Sequence, residues 1–281
     1  MAECDRRFAL QEFRFFSRCL APMFDAVGIR CVNPPIAAYA IRAKTAQLLL
    51  ARQCGMEVPR TFMGNSPSRI TSRAPTGTRT VCKGFMPHVW TDKASGADAR
   101  TVTFELLESH VDNEPVLTFA PAIYQELVAK RSDARVMLMG EAVRAFEIRS
   151  PALDWRVAAE SHLTSGEEIE IPQGLAGAIS QFAKLAGIVF GCFDFAIDNQ
   201  GTWRFLEVNE SGQFLWIDEL VPGARIFEDF LIFLTAREGG RGIARSAFPS
   251  LSEFRFDPPM DSDDSDEDSP FHSFEGSYEP D

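Results

Sequence analysis

The sequence GCFDFAIDNQGTWRFLEVNESGQFLWID, residues 191–218, predicts a β-hairpin. Two runs rich in β-branched, aromatic and other apolar residues flank the segment Asp-Asn-Gln-Gly at 198–201. Asn and Gly tolerate the positive φ angles that tight hairpin turns require, so this segment is the expected turn. The hairpin is the part of the chain from which the other elements and the candidate site are best interpreted.

Three oxygen-bearing side chains of this hairpin are expected on one patch. Because side chains alternate along a strand, Glu207 and Asn209 share a face with Phe205, while residues 206 and 208 face the other way. A turn of about three to five residues places Asp194 opposite a residue near Glu207. Two carboxylates and an amide oxygen suit Mg²⁺, which prefers oxygen ligands and leaves positions open for phosphate. A hairpin with acids on a solvent-facing side explains the same pattern, and these residues alone do not decide between the two.

The composition describes a globular protein with an acidic end. At 281 residues and 45% hydrophobic, the chain is long enough for one large domain or two subdomains. The net charge of -12 is concentrated in residues 257–281, which contain ten acids and no Lys or Arg. Residues 1–256 hold the other thirty acids against twenty-eight bases, so the body is nearly neutral. The sequence has no run of clustered Lys and Arg residues of the kind that would indicate a nucleic-acid partner.

The end of the chain, residues 249–281, is predicted to be an acidic, disordered tail. It is rich in Asp, Ser, Glu and Pro and has too little apolar surface to fold alone. Its hydroxyl and carboxyl groups also allow a second interpretation, in which the tail is a substrate or imitates one.

The N-terminus carries no apolar signal segment, and no run is long enough to span a bilayer. We therefore predict a cytoplasmic protein without a membrane partner. The cysteines are scattered singly and fit neither a zinc site nor a disulfide framework, so we expect reduced, mostly buried thiols. They are Cys4, Cys19, Cys31, Cys54, Cys82 and Cys192.

Apolar periodicity and breaker residues predict the other elements. A very apolar helix is expected at 7–21, ended by Pro22, and a second at 36–54, stopped by Gly55. Further helices are expected at 174–185 and 224–237. Strands are expected at 78–85, 100–107, 118–128, 135–139 and 141–148, with a flexible loop at 93–98 and a tight turn at Gly140.

Common catalytic motifs are missing from the sequence. It has no P-loop, no G-x-G-x-x-G after a strand, no H-E-x-x-H and no hydrolase elbow, and its four histidines are isolated. Lys83 lies within an apolar strand beside the predicted flexible loop. It is either a solvated edge residue or a point charge for a phosphate group.

Several short motifs follow one another between Asn33 and Leu234. In chain order they are Asn33-Pro34, Lys44 with Gln47-Leu48, Gly55, Val58-Pro59-x-Thr61, Asn65, the strand with Lys83, Ile123-Tyr124-Gln125-Glu126-Leu127-Val128, Asp133-x-Arg135-Val136 with Gly140, Asp154-Trp155-Arg156, and Phe205-Leu206-Glu207-Val208-Asn209-x-Ser211-Gly212-Gln213-Phe214. Their order and spacing resemble the ATP-grasp ligases. Within that group they resemble the maturases of microviridin-type ribosomal peptides, the graspetide synthetases.

The resemblance implies an α+β protein with the ATP-grasp fold, in which two α+β subdomains grip ATP between antiparallel sheets. It implies a helical remnant of a preceding domain at 1–32, a central or lid subdomain at 33–122 and a C-terminal subdomain with the metal site at 123–248. The family's N-terminal domain is largely missing from this sequence. Either the chain is truncated, or its apolar first helix docks on the body, or a second subunit covers that helix, as in a homodimer.

The resemblance also implies ATP and Mg²⁺ as cofactors and assigns site residues. The implied nucleotide-phosphate contacts are Lys44 and Lys83. The implied adenine-edge segment is Gln125, Glu126, Leu127 and Val128. The implied Mg²⁺ ligands are Asp194, Glu207 and Asn209. The implied catalytic arginines, near an acyl phosphate or a peptide carboxylate, are Arg135 and Arg156, for which salt bridges to Asp133 and Asp154 are the alternative.

The implied activity is ATP-dependent ligation on a precursor peptide that has a leader and a core of acidic and hydroxyl residues. Side-chain carboxyl groups of Asp or Glu would be activated as acyl phosphates and then joined to an amine or a hydroxyl, giving amide or ester cross-links. Two other functions remain open at this point. One is a ligase that adds an amino acid to a protein tail or a small metabolite, and the other is a catalytically silent peptide-binding subunit.

Overall fold

The computed structural model describes residues 3–73, 79–85, 89–91, 98–100, 103–111, 114–153, 155, 164–236, 247–248 and 251. In these residues there are nine helices and eleven strands. The helices are α1 (Glu3–Ala26), α2 (Pro35–Ile41), α3 (Lys44–Gln53), α4 (Pro67–Arg73), α5 (Glu108–Val111), α6 (Glu114–Phe119), α7 (Leu175–Ala186), α8 (Trp216–Leu220) and α9 (Ile226–Thr235). The strands are β1 (Thr61–Gly64), β2 (Thr80–Lys83), β3 (Val89–Thr91), β4 (Asp98–Arg100), β5 (Phe104–Glu105), β6 (Ala122–Glu126), β7 (Lys130–Met139), β8 (Ala142–Arg149), β9 (Ser165–Ile169), β10 (Phe190–Asp198) and β11 (Trp203–Asn209).

Two antiparallel sheets form the framework. The first has four strands in the order β1-β6-β2-β5, and the second has five in the order β11-β10-β7-β8-β9. Strands β3 and β4 form a separate two-stranded ribbon. The chain passes from the four-stranded to the five-stranded sheet through residues 127–129, between β6 and β7. This arrangement confirms the predicted α+β class.

The five-stranded sheet is buried on both faces. On one face Val136 of β7 and Phe193 of β10 pack with Phe182 of α7 in the main core. On the other face the next residues along each strand, Met137 and Cys192, belong to a second core that includes residues of α8 and α9. Burial on both faces explains why residues 136–139 of β7 and most of β10 are apolar.

The predicted hairpin at 191–218 is confirmed. It consists of β10 and β11, and Asp194 lies directly opposite Glu207. At the turn, one carboxylate oxygen of Asp198 accepts hydrogen bonds from the backbone N–H of Gln200 at 3.0 Å and of Thr202 at 2.8 Å. Gly201 has a φ of 83°, which explains the glycine at this position.

The simple alternation predicted for β11 is wrong at one point. Asp194 pairs with Glu207 and Phe195 pairs with Phe205, so Leu206 is an extra residue in a β-bulge. As a result Phe205 and Val208 both lie in the main core, and Phe205 does not share a face with Glu207. A bulge shifts the alternation of side chains between the two faces by one residue. Because a bulge arises from the pairing of two strands, the sequence of one strand does not reveal it.

Two predicted helix boundaries are also wrong. Helix α1 continues through Pro22 to Ala26, because a proline removes only its own N–H from the ladder and helical bonding resumes with Val27 N–H to Met23 O at 3.1 Å. The single helix expected at 36–54 is divided into α2 and α3. The carbonyl of Ile41 accepts a hydrogen bond from the side chain of Gln47 at 2.8 Å, which satisfies it where the helix breaks.

The remaining elements follow the predictions in part. The turn at Gly140 and the helices near 174–185 and 224–237 are confirmed within a few residues. The strands expected at 100–107 and 118–128 are shorter, and α6 occupies the start of the second range. The elements α4, β1, β9 and α8 were not predicted. Residues 92–97, most of the predicted flexible loop, and residues 252–281 of the predicted tail lie outside the described residues.

Helix α1 has the apolar face that the sequence predicts, and this face is exposed. The side chains of Phe8, Phe13 and Phe16 are 65%, 56% and 61% exposed. The predicted docking of this face on the body is therefore not found in the described part of the chain. No helix among the described residues combines the length and the hydropathy needed to cross a membrane.

The six cysteines are free thiols, as predicted, but only half of them are buried. Cys4 and Cys19 are exposed on α1. Cys192 is deeply buried beside the candidate site, and burial raises the pKa of its thiol to about 12. Since the thiolate is the reactive form, Cys192 has no role as a nucleophile at neutral pH.

Candidate active site

A cavity of about 110 Å³ lies between the two main sheets, with the linker 127–129 at its side. Strands β2 and β6 supply one wall, and β7, β10 and β11 supply the other. Most of the described residues that the sequence assigned to a nucleotide or metal site line this cavity. They are Lys83, Gln125, Glu126, Leu127, Val128, Asp194 and Glu207.

Arg135, Asp194 and Glu207 form a row across three adjacent strands. Asp194 lies opposite Arg135 on one side and opposite Glu207 on the other. Nη1 of Arg135 donates to both carboxylate oxygens of Asp194, at 2.6 and 2.8 Å. Nη2 of the same residue donates to the backbone carbonyl of Gln213 at 2.8 Å. The side chains of Asp194 and Glu207 are 14% and 19% exposed, so both keep access to the cavity.

Arg135 is buried in its charged form. Burial alone would lower the pKa of the guanidinium, but the adjacent Asp194 carboxylate outweighs this and raises the pKa above its ordinary value. Nε of Arg135 is also buried and has no hydrogen-bond partner in the described part of the chain. The alternative interpretation of Arg135, a salt bridge to Asp133, is not found among the described residues, where Arg135 pairs with Asp194 across the strand pair.

Lys44 is placed against Glu207 by the first turn of α3. Its Nζ donates to a carboxylate oxygen of Glu207. One turn later the side chain of Gln47 bonds to the backbone of Val208, donating to its carbonyl at 2.8 Å and accepting from its N–H at 3.1 Å. These bonds fix α3 beside β11. Lys44 is not among the residues that line the cavity, so its predicted phosphate contact remains a prediction.

Lys83 faces the cavity from within the four-stranded sheet. Its Nζ donates to the side-chain oxygen of Gln125 at 2.8 Å, and the amide of Gln125 donates to the hydroxyl of Thr61 at 2.9 Å. Strand β2 lies between β6 and β5 and is not an edge strand. The interpretation of Lys83 as a solvated edge residue is therefore wrong.

The predicted metal ligands have suitable donor atoms. Asp194 and Glu207 provide two opposed carboxylates, and Asn209 adds an amide on the same strand as Glu207. Asn209 is exposed, and its Oδ1 accepts from the N–H of Ser211 at 3.2 Å. Among the described residues no three His, Cys, Asp or Glu side chains cluster as a metal site, so further ligands would come from Asn209, water or phosphate. Hard oxygen donors of this kind fit Mg²⁺.

Nine of the residues that line the cavity were not assigned to the site from the sequence, among them Lys130, Asp133 and Trp155. Nζ of Lys130 donates to Asp133 at 2.6 Å and to the carbonyl of Leu153 at 2.8 Å. The pairing of β7 with β10 skips one residue at 131, and this irregularity brings positions 130 and 133 to the same side. Trp155 packs against Trp216 with ring centroids 4.5 Å apart. Asp133 and Trp155 stood in motifs noted in the sequence, whereas Arg156 lies outside the described residues.

Gly212 is required by the packing around Arg135. A Cβ at this position would lie 2.9 Å from the Cβ and Sγ of Cys192 and 3.1 Å from Nη2 of Arg135. We expect Gly212→Ala to lower the free energy of unfolding by about 1–3 kcal/mol, since the buried neighbours must shift. Denaturant unfolding followed by circular dichroism measures the change.

Gly177→Ala is the matched control for this substitution. Gly177 lies in α7, and a Cβ there meets nothing within 4 Å. Alanine is favoured over glycine within a helix by about 1 kcal/mol, so this variant should be as stable as the unmodified chain or more stable. Equal unfolding midpoints for the two alanine variants would contradict the packing argument.

Comparisons with known proteins bear on the fold. No protein-family model matches the sequence, and no curated protein matches it significantly. Among solved structures, the macrocyclase MdnC bound with precursor peptide MdnA from Microcystis aeruginosa MRC superposes with a TM-score of 0.70 at 22% identity, over 80% of this chain and 69% of that chain. A Chryseobacterium gregarium RiPP-associated ATP-grasp ligase, in complex with ADP and a leader and core peptide, has a TM-score of 0.73 at 21% identity, over 84% and 72%. The ATP-grasp ligase PsnB, complexed with a minimal precursor variant, Mg and ADP, has a TM-score of 0.63 at 26% identity, over 78% and 67%.

These matches define the class of fold. The chain has the ATP-grasp fold, with its two antiparallel sheets on either side of the cavity. The structural neighbours named above are ligases associated with ribosomally made peptides, in agreement with the resemblance to graspetide synthetases found in the sequence.

Proposed function

We propose that this protein is an ATP-dependent ligase that acts on a precursor peptide. The observation that carries the proposal is the pair of opposed carboxylates, Asp194 and Glu207, on the wall of a cavity between two ATP-grasp sheets, with the buried Arg135 bonded to Asp194. The structural neighbours support both parts of the proposal, the use of ATP and the peptide substrate, because they are ATP-grasp ligases solved with ADP, with Mg or with precursor peptides.

The chain's own residues divide the nucleotide site into two ends. Glu126, the last residue of β6, and Val128, two residues later, line the cavity, and their remaining backbone groups would bind an adenine edge. Lys83 lines the same cavity and would bind phosphate oxygens. Asp194, Glu207 and Asn209 would hold Mg²⁺, which when bound neutralises charge on the phosphate oxygens.

Arg135 is suited to hold an anionic reactant next to this metal end. Its guanidinium stays charged while buried, and it is fixed by Asp194 and by the carbonyl of Gln213. In the proposed reaction a peptide carboxylate oxygen bonds to the γ-phosphorus of ATP as the bond to ADP breaks. An amine or hydroxyl of the same peptide then bonds to the acyl carbon, phosphate leaves, and one proton is released. Arg135, and Arg156 as the sequence implies, would stabilise the anionic carboxylate and acyl phosphate.

The test is incubation of the protein with ATP, Mg²⁺ and a precursor peptide encoded beside its gene, followed by mass spectrometry. The expected product has lost one water for each new ester or amide bond, with one ADP released for each. Tandem fragmentation and mild alkaline hydrolysis separate esters from amides. A peptide that instead gains the mass of an amino acid would indicate the tail-extending ligase, and peptide binding without ATP turnover would indicate a silent subunit.

Lys83→Met should weaken ATP binding about tenfold to a hundredfold, since a charged hydrogen bond to phosphate contributes about 1.5–3 kcal/mol. The measurement is the Kd of a non-hydrolysable ATP analogue by calorimetry. Lys184→Met, which removes an exposed lysine near the end of α7, is the control and should bind the analogue unchanged. Equal affinities in the two variants would exclude Lys83 from the phosphate site.

A further inference from the structure

A second and larger cavity adjoins the candidate nucleotide site. It has a volume of about 690 Å³, within the range of ligand-binding pockets, and we call it the linker groove. It shares Glu126, Leu127, Val128, Lys130 and Leu153 with the first cavity, so the linker between the two sheets forms a wall of both. The rest of the groove is formed by Pro59, Arg79, Ala129, Arg131, residues 150–152, residues 198–200 and Arg204.

The lining of the linker groove has an excess of positive charge. The residues that line it include two acids, Glu126 and Asp198, and four bases. The bases are Arg79, Lys130, Arg131 and Arg204. Because residues 1–256 as a whole are nearly neutral, this excess is a local property of the groove.

Two of these bases are only loosely paired. Arg79 is bound to Glu105 through two hydrogen bonds, and Lys130 to Asp133 at 2.6 Å. In contrast, Arg131 lies 3.8 Å from Glu147, beyond hydrogen-bond distance.

Among the described residues, the side chain of Arg204 contacts Glu57 and Asp198 at the long distance of 3.4 Å. The side chains of Arg131 and Arg204 are 56% and 35% exposed, whereas their partners Glu147 and Asp198 are buried. These two acids have other donors, because Ser132 and Arg149 bond to Glu147 and two backbone N–H groups bond to Asp198. Both arginines can therefore turn to a ligand carboxylate without leaving a buried acid unpaired.

The other lining residues indicate a peptide as the ligand. Pro59, Leu127, Val128, Pro151 and Leu153 give the groove apolar surface beside its arginines. A small inorganic anion would leave that surface uncovered, whereas a segment with both carboxylates and apolar side chains would cover it. The turn that carries residues 198–200 is held by the two backbone hydrogen bonds to Asp198, so this side of the groove is already formed.

The chain itself contains a segment of this composition. Residues 257–281 combine ten acids with Phe271, Phe274 and Tyr278 and contain no Lys or Arg. Extended, a segment of this length reaches about 80 Å, which exceeds the width of a domain of this size. As part of the same chain it is present at a high effective concentration.

We propose that the linker groove is an acidic-peptide site, occupied by residues 257–281 of the same chain through Arg131 and Arg204. A segment bound there contacts the linker that also borders the nucleotide cavity, which couples its occupancy to nucleotide binding. The inference does not depend on ligase activity, and its test reads the position of the segment.

The test uses the full chain with p-benzoylphenylalanine in place of Phe271. After irradiation, mass spectrometry of the product of single-chain mass should map cross-links to residues 126–131, 150–153 and 198–204. The yield should fall at least fivefold in about 0.5 M salt, where exposed charges are screened within a few ångströms. Cross-links that map elsewhere, or only in a product of two-chain mass, would overturn the assignment.

Charge variants show whether the arginines hold the segment. Arg131→Gln combined with Arg204→Gln should lower the cross-link yield at least fivefold, while Arg52→Gln, at an exposed arginine of α3 outside the groove, should leave it unchanged. Replacing the acids at 261–268 by their amides should have the same effect as the double variant without altering the body. An undiminished yield in the amide variant or in a folded double variant would refute the proposal.

Discussion

Glu207→Gln is expected to lower ATP turnover by about a hundredfold or more, because it would remove a charge from the proposed metal site beside the transferring phosphate. The side chains of Asp194 and Glu207 are the two carboxylates at the metal end of the cavity, and they lie opposite each other in the register. An amide keeps the shape of Glu207 but not its charge. Lys44, which donates to this carboxylate, would then face a neutral oxygen.

ADP release under saturating ATP gives the turnover, and titration with Mn²⁺ followed by electron paramagnetic resonance gives the metal affinity independently of catalysis. Both should fall in Glu207→Gln while the unfolding midpoint changes little, because the amide oxygen of glutamine can still accept the hydrogen bond from Lys44. Glu170→Gln, at an exposed glutamate, is the control and should behave like the unmodified chain. Full turnover or unchanged Mn²⁺ affinity in Glu207→Gln would remove this residue from the metal site.

The second large effect is on stability. Asn33→Ala should lower the free energy of unfolding by about 3–5 kcal/mol, because buried polar groups would lose their partners. Oδ1 of the buried Asn33 accepts from the N–H of Val189 at 2.7 Å and of Phe190 at 2.8 Å. Its Nδ2 donates to the carbonyls of Phe190 and Glu210, both at 2.8 Å.

These four bonds join the two ends of the hairpin, since Phe190 begins β10 and Glu210 directly follows β11. Urea unfolding of the variant should therefore show a lower midpoint with a similar slope. Asn199→Ala replaces the same residue type at an exposed position of the hairpin turn and should change stability by less than about 0.5 kcal/mol. Similar losses in the two variants would show that the bonds of Asn33 contribute little.

The part of the site that lies within one strand pair could be predicted closely. The turn at 198–201 and the closeness of Asp194 to Glu207 follow from local pattern, because a short loop limits the register. Their direct opposition depends on the bulge at Leu206, which the pattern does not predict. The segment 125–128, at the end of β6 and the start of the linker, was likewise located by its motif, and its four residues line the cavity. Fold class followed from the order of such elements.

The partners of the charged residues could not be predicted. Arg135 pairs with Asp194 from a strand 59 residues away in sequence, whereas the sequence offered only a local pair with Asp133 as the alternative to a catalytic role. Lys44 reaches Glu207 because the hydrogen bonds from the side chain of Gln47 to the backbone of Val208 hold α3 beside β11. Lys130 meets Asp133 because the pairing of β7 is irregular at position 131.

From the amino-acid sequence alone follow the hairpin, the closeness of Asp194 to Glu207 and the order of motifs that resembles ATP-grasp ligases, since all of these depend on residue type and short spacing. Only the tertiary structure decides that Leu206 is bulged, that Arg135 and Lys44 neutralise the two carboxylates, and that the linker separates two cavities. Bulges and long-range ion pairs depend on which strand or helix becomes the neighbour. Which elements become neighbours is decided by burial of the whole core, and no single segment of the sequence contains that information.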